Sequence, residues 1–207
     1  MGVCVSGTGS AKLKLIDVPP YEALLEAVKR AYEDVNRAKY KLKDLALVSI
    51  LVFTGCRLGE ALRLRREDFD LKRRTVRIRQ LKKRGEFYRI VPVPSRLFWE
   101  IIERYLRREF TDYLFPPGEL SKDKTREYMT DRQARNIVYK WSKRYLRRKI
   151  RPHAIRHSYA IAVLKATKNL EAVRRLLGHE DYKTLKSYLD FTQEDLEQEL
   201  EKVFERL

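Results

Sequence analysis

Nine consecutive residues, Leu45-Ala46-Leu47-Val48-Ser49-Ile50-Leu51-Val52-Phe53, are apolar except for Ser49. A helix that is apolar around its whole circumference must be covered by protein on every side. The run is too short to span a bilayer, and no other apolar run in the chain is longer. It therefore predicts a buried central helix that ends near Gly55. The remaining segments have to supply its cover.

They have the periodicity to do so. Tyr21, Leu24, Leu25, Val28, Tyr32 and Val35 repeat at helical spacing and predict a helix from about Tyr21 to Lys39. A short helix follows the central one and carries Arg57, Glu60, Ala61 and Leu64. Leu97, Phe98, Ile101, Ile102 and Tyr105 mark another. Thr130-Asp131-Arg132-Gln133 is a capping-box pattern opening a helix through Ala134, Ile137, Val138, Trp141 and Tyr145. Pro152 suits the first turn of a helix to about Lys165. Leu170 to Leu177 predicts one more, ended by Gly178. A last helix starts at Thr192, with Leu196, Leu200, Val203 and Leu207 on one stripe.

The period changes only once. Thr75-Val76-Arg77-Ile78-Arg79 alternates as a strand does, and Phe87 to Val93 predicts a second strand. The connection Leu81-Lys82-Lys83-Arg84-Gly85-Glu86 has turn composition, so the pair reads as a hairpin. Pro92 and Pro94 restrict its end to a sheet edge. Tyr113 to Gly118 reads as a turn, and 118–128 as a polar, mobile stretch. Residues 1–18 read as a flexible tail and 19–207 as a single domain, mainly α with a small antiparallel β-hairpin.

Lysine and arginine number 46 against 29 acids, a formal net charge of +17. A surplus that large favours a polyanionic partner, most simply nucleic acid. The high charge content with few Asn and Gln hints at a hot-growing source. Cys4 and Cys56 form neither a disulfide framework nor a zinc spacing, which fits a reducing cytoplasm. The end of the chain differs in sign: residues 190–207 hold seven acids and two bases. An acidic helix avoids DNA, and its apolar stripe must be covered either by its own fold or by a neighbouring protomer.

All three histidines sit in two short motifs, Arg151-Pro152-His153-Ala154-Ile155-Arg156-His157 and Leu176-Leu177-Gly178-His179. Upstream lies Thr54-Gly55-Cys56-Arg57-Leu58-Gly59-Glu60, and downstream Tyr182 and Tyr188. This set suits chemistry at a phosphodiester. Guanidiniums are planar, always charged and bidentate, so Arg57 and Arg156 match the charge that develops on non-bridging oxygens. Glu60, one turn on, would orient Arg57. His153 shares a helix face with Arg156 and is placed to move a proton. The helix starting at Pro152 presents an N-terminus that attracts phosphate. His157 falls on a different face among apolar neighbours and reads as a packing residue. His179 follows a helix-ending glycine and is a candidate phosphate ligand. A hairpin-tip lysine, Lys83 or its neighbour Lys82, would protonate a leaving oxygen. The nucleophile would be a tyrosine hydroxyl.

In these boxes the chain resembles the tyrosine recombinase (phage integrase) family over roughly residues 20–207. Thr54 to Leu62 is similar to the family's first arginine box, His153 to Ala160 to its His-x-x-Arg box, and Leu176 to Tyr188 to its closing box. Val91-Pro92-Val93-Pro94 fits the family's strand ending. The resemblance implies the DNA breaking-rejoining fold and selects Tyr188 over Tyr182 as nucleophile. It implies a 3′-phosphotyrosyl intermediate formed without metal, ATP or other cofactor. It also implies double-stranded DNA as substrate, self-association into dimers or tetramers on DNA, and a C-terminal helix (192–207) that docks on a neighbouring protomer. Family members usually carry an N-terminal clamping domain, so this chain reads as an isolated catalytic domain. The competing readings are a type IB topoisomerase and a non-catalytic basic DNA-binding protein of the same fold.

Overall fold

The computed structural model describes residues 18–80, 87–108, 112–117 and 125–178. Residues 1–17 of the expected tail, the hairpin connection with Lys82 and Lys83, and everything from His179 onward, including Tyr188 and the segment expected to form the last helix, lie outside the described residues.

The apolar run is the centre of the molecule. It forms α2 (Leu42–Thr54), in which every residue from Leu45 to Val52 is buried. Its cover comes from α1 (Tyr21–Asn36), α4 (Arg96–Leu106), α5 (Asp131–Leu146) and α6 (Pro152–Thr167), all of which pack against it. Each supplies an apolar stripe. In α1 it is Leu24, Ala27, Val28, Ala31 and Val35; in α5 it is Ala134, Val138, Trp141 and Tyr145. The short α3 (Leu58–Leu62) follows α2, and α7 (Leu170–Leu177) packs on α6. No helix among the described residues is long and apolar enough to cross a membrane.

Local chemistry sets most of the ends. The predicted capping box of α5 is present: Thr130 Oγ1 accepts from Gln133 N at 3.2 Å, and Gln133 Oε1 accepts from Thr130 N at 3.0 Å. Asn169 caps α7 by accepting from Ala172 N at 3.0 Å. Gly55 and Gly178 close α2 and α7 in the left-handed region, with φ of 60° and 64°. α1 stops at Asn36, three residues before the expected end, because Ala38 turns left-handed (φ 56°) and Lys39 N bonds back to Asp34 O. α6 runs two residues beyond its expected end, to Thr167.

The predicted hairpin is part of a three-stranded antiparallel sheet in the order β1-β2-β3. β2 (Thr75–Arg79) and β3 (Tyr88–Pro92) are the expected strands, paired Val76 with Val91 and Ile78 with Arg89. β1 (Phe69–Asp70) was not foreseen; two residues are too few to show alternation. β3 is an edge strand, as Pro92 requires. Its alternation places Val91 inward with Arg89, while Tyr88, Ile90 and Pro92 face out.

Candidate active site

Three helix ends converge beside the sheet. Gly55 ends α2, and its position is tightly enclosed: a Cβ there would fall 2.3 Å from Tyr159 Cδ1 and 3.0 Å from Leu177 Cδ2. This tight turn brings Cys56 and Arg57 onto the floor of a cleft of about 620 Å³. Its walls come from Leu58 and Gly59 of α3, from Asp131, Arg135 and Tyr139 on one face of α5, and from Arg151, Pro152, His153 and Arg156 at the start of α6.

Arg57 and Arg156 are held differently. Arg156 is 2% exposed and donates from Nη1 to Gly55 O at 2.7 Å and from Nη2 to Leu177 O at 2.8 Å. The carbonyl ends of α2 and α7 thus grip a single guanidinium, which suits the partial negative charge of helix C-termini. Arg57 is partly exposed and tied to Glu60, donating from its backbone N to Oε2 at 2.9 Å and from Nη1 to Oε1 at 3.1 Å. Glu60 is buried. Burial pushes its carboxyl upward, but Arg89, the Arg57 backbone and Arg156 outweigh that and hold it below the usual carboxylate range.

Arg89 is the residue that sequence reasoning missed. It grips the same carboxylate bidentately, Nη2 to Oε2 at 2.7 Å and Nη1 to Oε1 at 3.2 Å, and donates from Nε to Leu176 O at 2.8 Å. Its signal was an arginine on the inward parity of a strand, in phase with Val91 and Val93. Arg135 and Tyr139 were also missed, because the polar face of an amphipathic helix reads as solvated.

His153 lies at the first turn of α6 on the cleft wall, one turn before Arg156, as expected. His157 is buried, in keeping with its apolar flanks. It is not on a different face from His153, however. The two rings meet edge to face with centroids 4.3 Å apart, because residues four apart lie one above the other on a helix. Burial, then the nearby His153 and Arg156, push the His157 pKa down to about 4. Burial and the neighbouring Glu60 push the Cys56 thiol up to about 11, so it stays protonated. Among the described residues no three His, Cys, Asp or Glu are grouped to hold a metal ion. Of the sequence-predicted site residues, Arg57, Glu60, His153 and Arg156 come together, while Lys82, Lys83, His179 and Tyr188 lie outside the described residues.

Comparison with known proteins gives one answer. The chain is 31% identical over 182 residues to tyrosine recombinase XerA of Pyrococcus furiosus, covering 86% of this chain and 59% of that protein. It is 34% identical over 155 residues to tyrosine recombinase XerC of Actinobacillus pleuropneumoniae, covering 72% and 48%. The chain thus spans only about half the length of these relatives. Among solved structures, the XerH recombinase in a post-cleavage complex with its palindromic difH substrate superposes with a TM-score of 0.73 at 24% identity, over 95% of this chain and 56% of that one. The XerA recombinase superposes with a TM-score of 0.61 at 25% identity, over 81% and 57%. The model of the phage integrase family matches residues 20–195, and the chain belongs to that family.

Proposed function

We propose that this chain is the catalytic domain of a site-specific DNA recombinase, which cleaves and rejoins duplex DNA through a 3′-phosphotyrosyl intermediate. One observation carries the reading: Arg57 and the pair His153 and Arg156, about a hundred residues apart in sequence, line one cationic cleft at the N-terminus of α6. Phosphate suits such a place, since a helix N-terminus and guanidiniums both favour an anion.

In this mechanism Arg57 and Arg156 bind the non-bridging oxygens and stabilise the charge that grows on them. Tyr188 attacks phosphorus, a Tyr O–P bond forms and the P–O5′ bond breaks. The tyrosine proton passes to His153. Lys83, with Lys82 as the alternative, supplies the proton that the leaving 5′ oxygen requires, and His179 donates a hydrogen bond to the phosphate. The phosphodiester energy is kept in the tyrosyl link, so rejoining is the same steps reversed. The similar XerH recombinase, in its post-cleavage complex with difH, supports DNA as the substrate. On this reading the protein acts in the cytoplasm with the nucleoid and self-associates in a synaptic complex, and the acidic segment 192–207 docks on the neighbouring protomer.

The test is a pool of nicked duplexes of randomised sequence, in which a nick beside the cut site lets the 5′ fragment escape and traps the adduct. The wild type should give an SDS-resistant adduct in the presence of EDTA, and Tyr188→Phe none, with DNA affinity within about twofold. An adduct from Tyr188→Phe but not from Tyr182→Phe would move the nucleophile to Tyr182. Binding without any adduct would leave a non-catalytic DNA-binding protein. Plasmid relaxation without joining of specific ends would make it a topoisomerase.

A further inference from the structure

The two guanidiniums of the cleft are joined beneath its floor by a third. Each oxygen of the Glu60 carboxylate is shared between two arginines. Oε1 accepts from Arg57 Nη1 (3.1 Å) and Arg89 Nη1 (3.2 Å), and Oε2 from Arg57 N (2.9 Å) and Arg89 Nη2 (2.7 Å). The Arg89 Nε then reaches Leu176 O, one residue before the Leu177 carbonyl that holds Arg156. Gly178 makes room for this: a Cβ at its position would lie 3.0 Å from Arg89 Nη1. Arg89 does not line the cleft, and Glu60 and the Leu176 carbonyl engage all three of its nitrogens.

We propose that Arg89 is a positioning residue for the reaction, fixing Arg57 through Glu60 and registering it against Arg156 through the end of α7. A carboxylate held from one side only pivots about its own bond. Held bidentately by a planar fork it has one orientation, and Arg57 inherits it. Arg89 also stands on β3, three residues beyond Glu86 at the end of the hairpin connection, and lies close beside Gly178, immediately before His179. It therefore stands between the two places in the chain from which the remaining candidates follow. The inference rests on the proposed DNA cleavage reaction.

Arg89→Lys tests it, because lysine keeps the charge but cannot bridge two oxygens in a plane. The readouts are the single-turnover rate of adduct formation and DNA affinity, on duplexes recovered by the wild type. The expected result is a rate at least about tenfold lower with affinity within about threefold. The groups facing Glu60 are Arg57, Arg89, Arg156 and Cys56. With the fork removed, Glu60 protonates at higher pH, so the rate ratio of wild type to variant should widen as pH falls from 7 towards 5. Glu60→Gln removes the charge at nearly constant shape and should show the same split of rate from affinity. It carries the test if Arg89→Lys does not fold. A wild-type rate in either folded variant overturns the inference. So does a parallel fall of rate, affinity and melting temperature, which marks a purely structural role. A wild type that forms no adduct overturns the reaction itself and the inference with it, an outcome distinguished before any variant is made.

Discussion

Gly55 shows how little freedom single residues have around this cleft. Its left-handed φ disfavours any side chain, and a Cβ would press into the Tyr159 ring. Strain and overpacking together predict that Gly55→Ala loses about 2–4 kcal/mol of stability; denaturant unfolding with a loss below about 0.5 kcal/mol would contradict the crowding. His157 makes a pH prediction. Its folded pKa of about 4 lies below the ordinary 6.5, so the unfolded chain binds the proton more tightly. The stability it contributes is present above pH 6.5 and is lost as pH falls towards 4. His157→Gln should flatten the fall of unfolding free energy between those values by at most about 1.4 kcal/mol per pH unit. An unchanged slope would show that His157 is already protonated in the folded protein. Arg57, Glu60, His153 and Arg156 were legible as residues because their spacing is local. Arg89 was not, because its partners, Glu60 and Leu176, lie far away in sequence and one of them is a backbone carbonyl.

At the scale of elements, α7 is a short part of the site's frame. It has only eight residues, with Val173 and Leu177 packed inward on the cluster of Tyr159, Ile161 and Leu164. An isolated helix that short does not persist in water, so its end conditions matter. Asn169→Ala removes the N-cap and should cost about 1 kcal/mol, measured by denaturant unfolding; a neutral result would mean that packing alone sets the helix start. Most elements were legible because an apolar stripe repeats at either 3.6 or 2 residues. β1 was not, since its two residues are held by pairing with β2 and by the Asp68 and Asp70 side chains bonding to neighbouring backbone. The exposed Ile90 beside the buried Arg89 inverts the usual polarity of a half-buried strand, and the long-range partners Glu60 and Leu176 O account for the buried arginine.

For the whole molecule, charge makes the prediction. A net +17 that serves DNA binding should appear as counterion release, with each neutralised phosphate adding about 0.9 to the negative slope of log affinity against log salt. A slope steeper than about −4 is expected for duplex DNA; a shallow one would assign the surplus to general surface charge. The helical bundle itself was legible from one apolar run, because a helix buried all round dictates how many neighbours must surround it. That run also determines how the cleft behaves over time. Gly55, which grips Arg156, and Arg57 follow directly from α2, whose amides lie under α1, α4, α5 and α6. Local fraying cannot reach them, so hydrogen exchange in the last turn of α2 should require opening of the entire protein. The floor of the cleft is then a fixed reference for whatever group enters it.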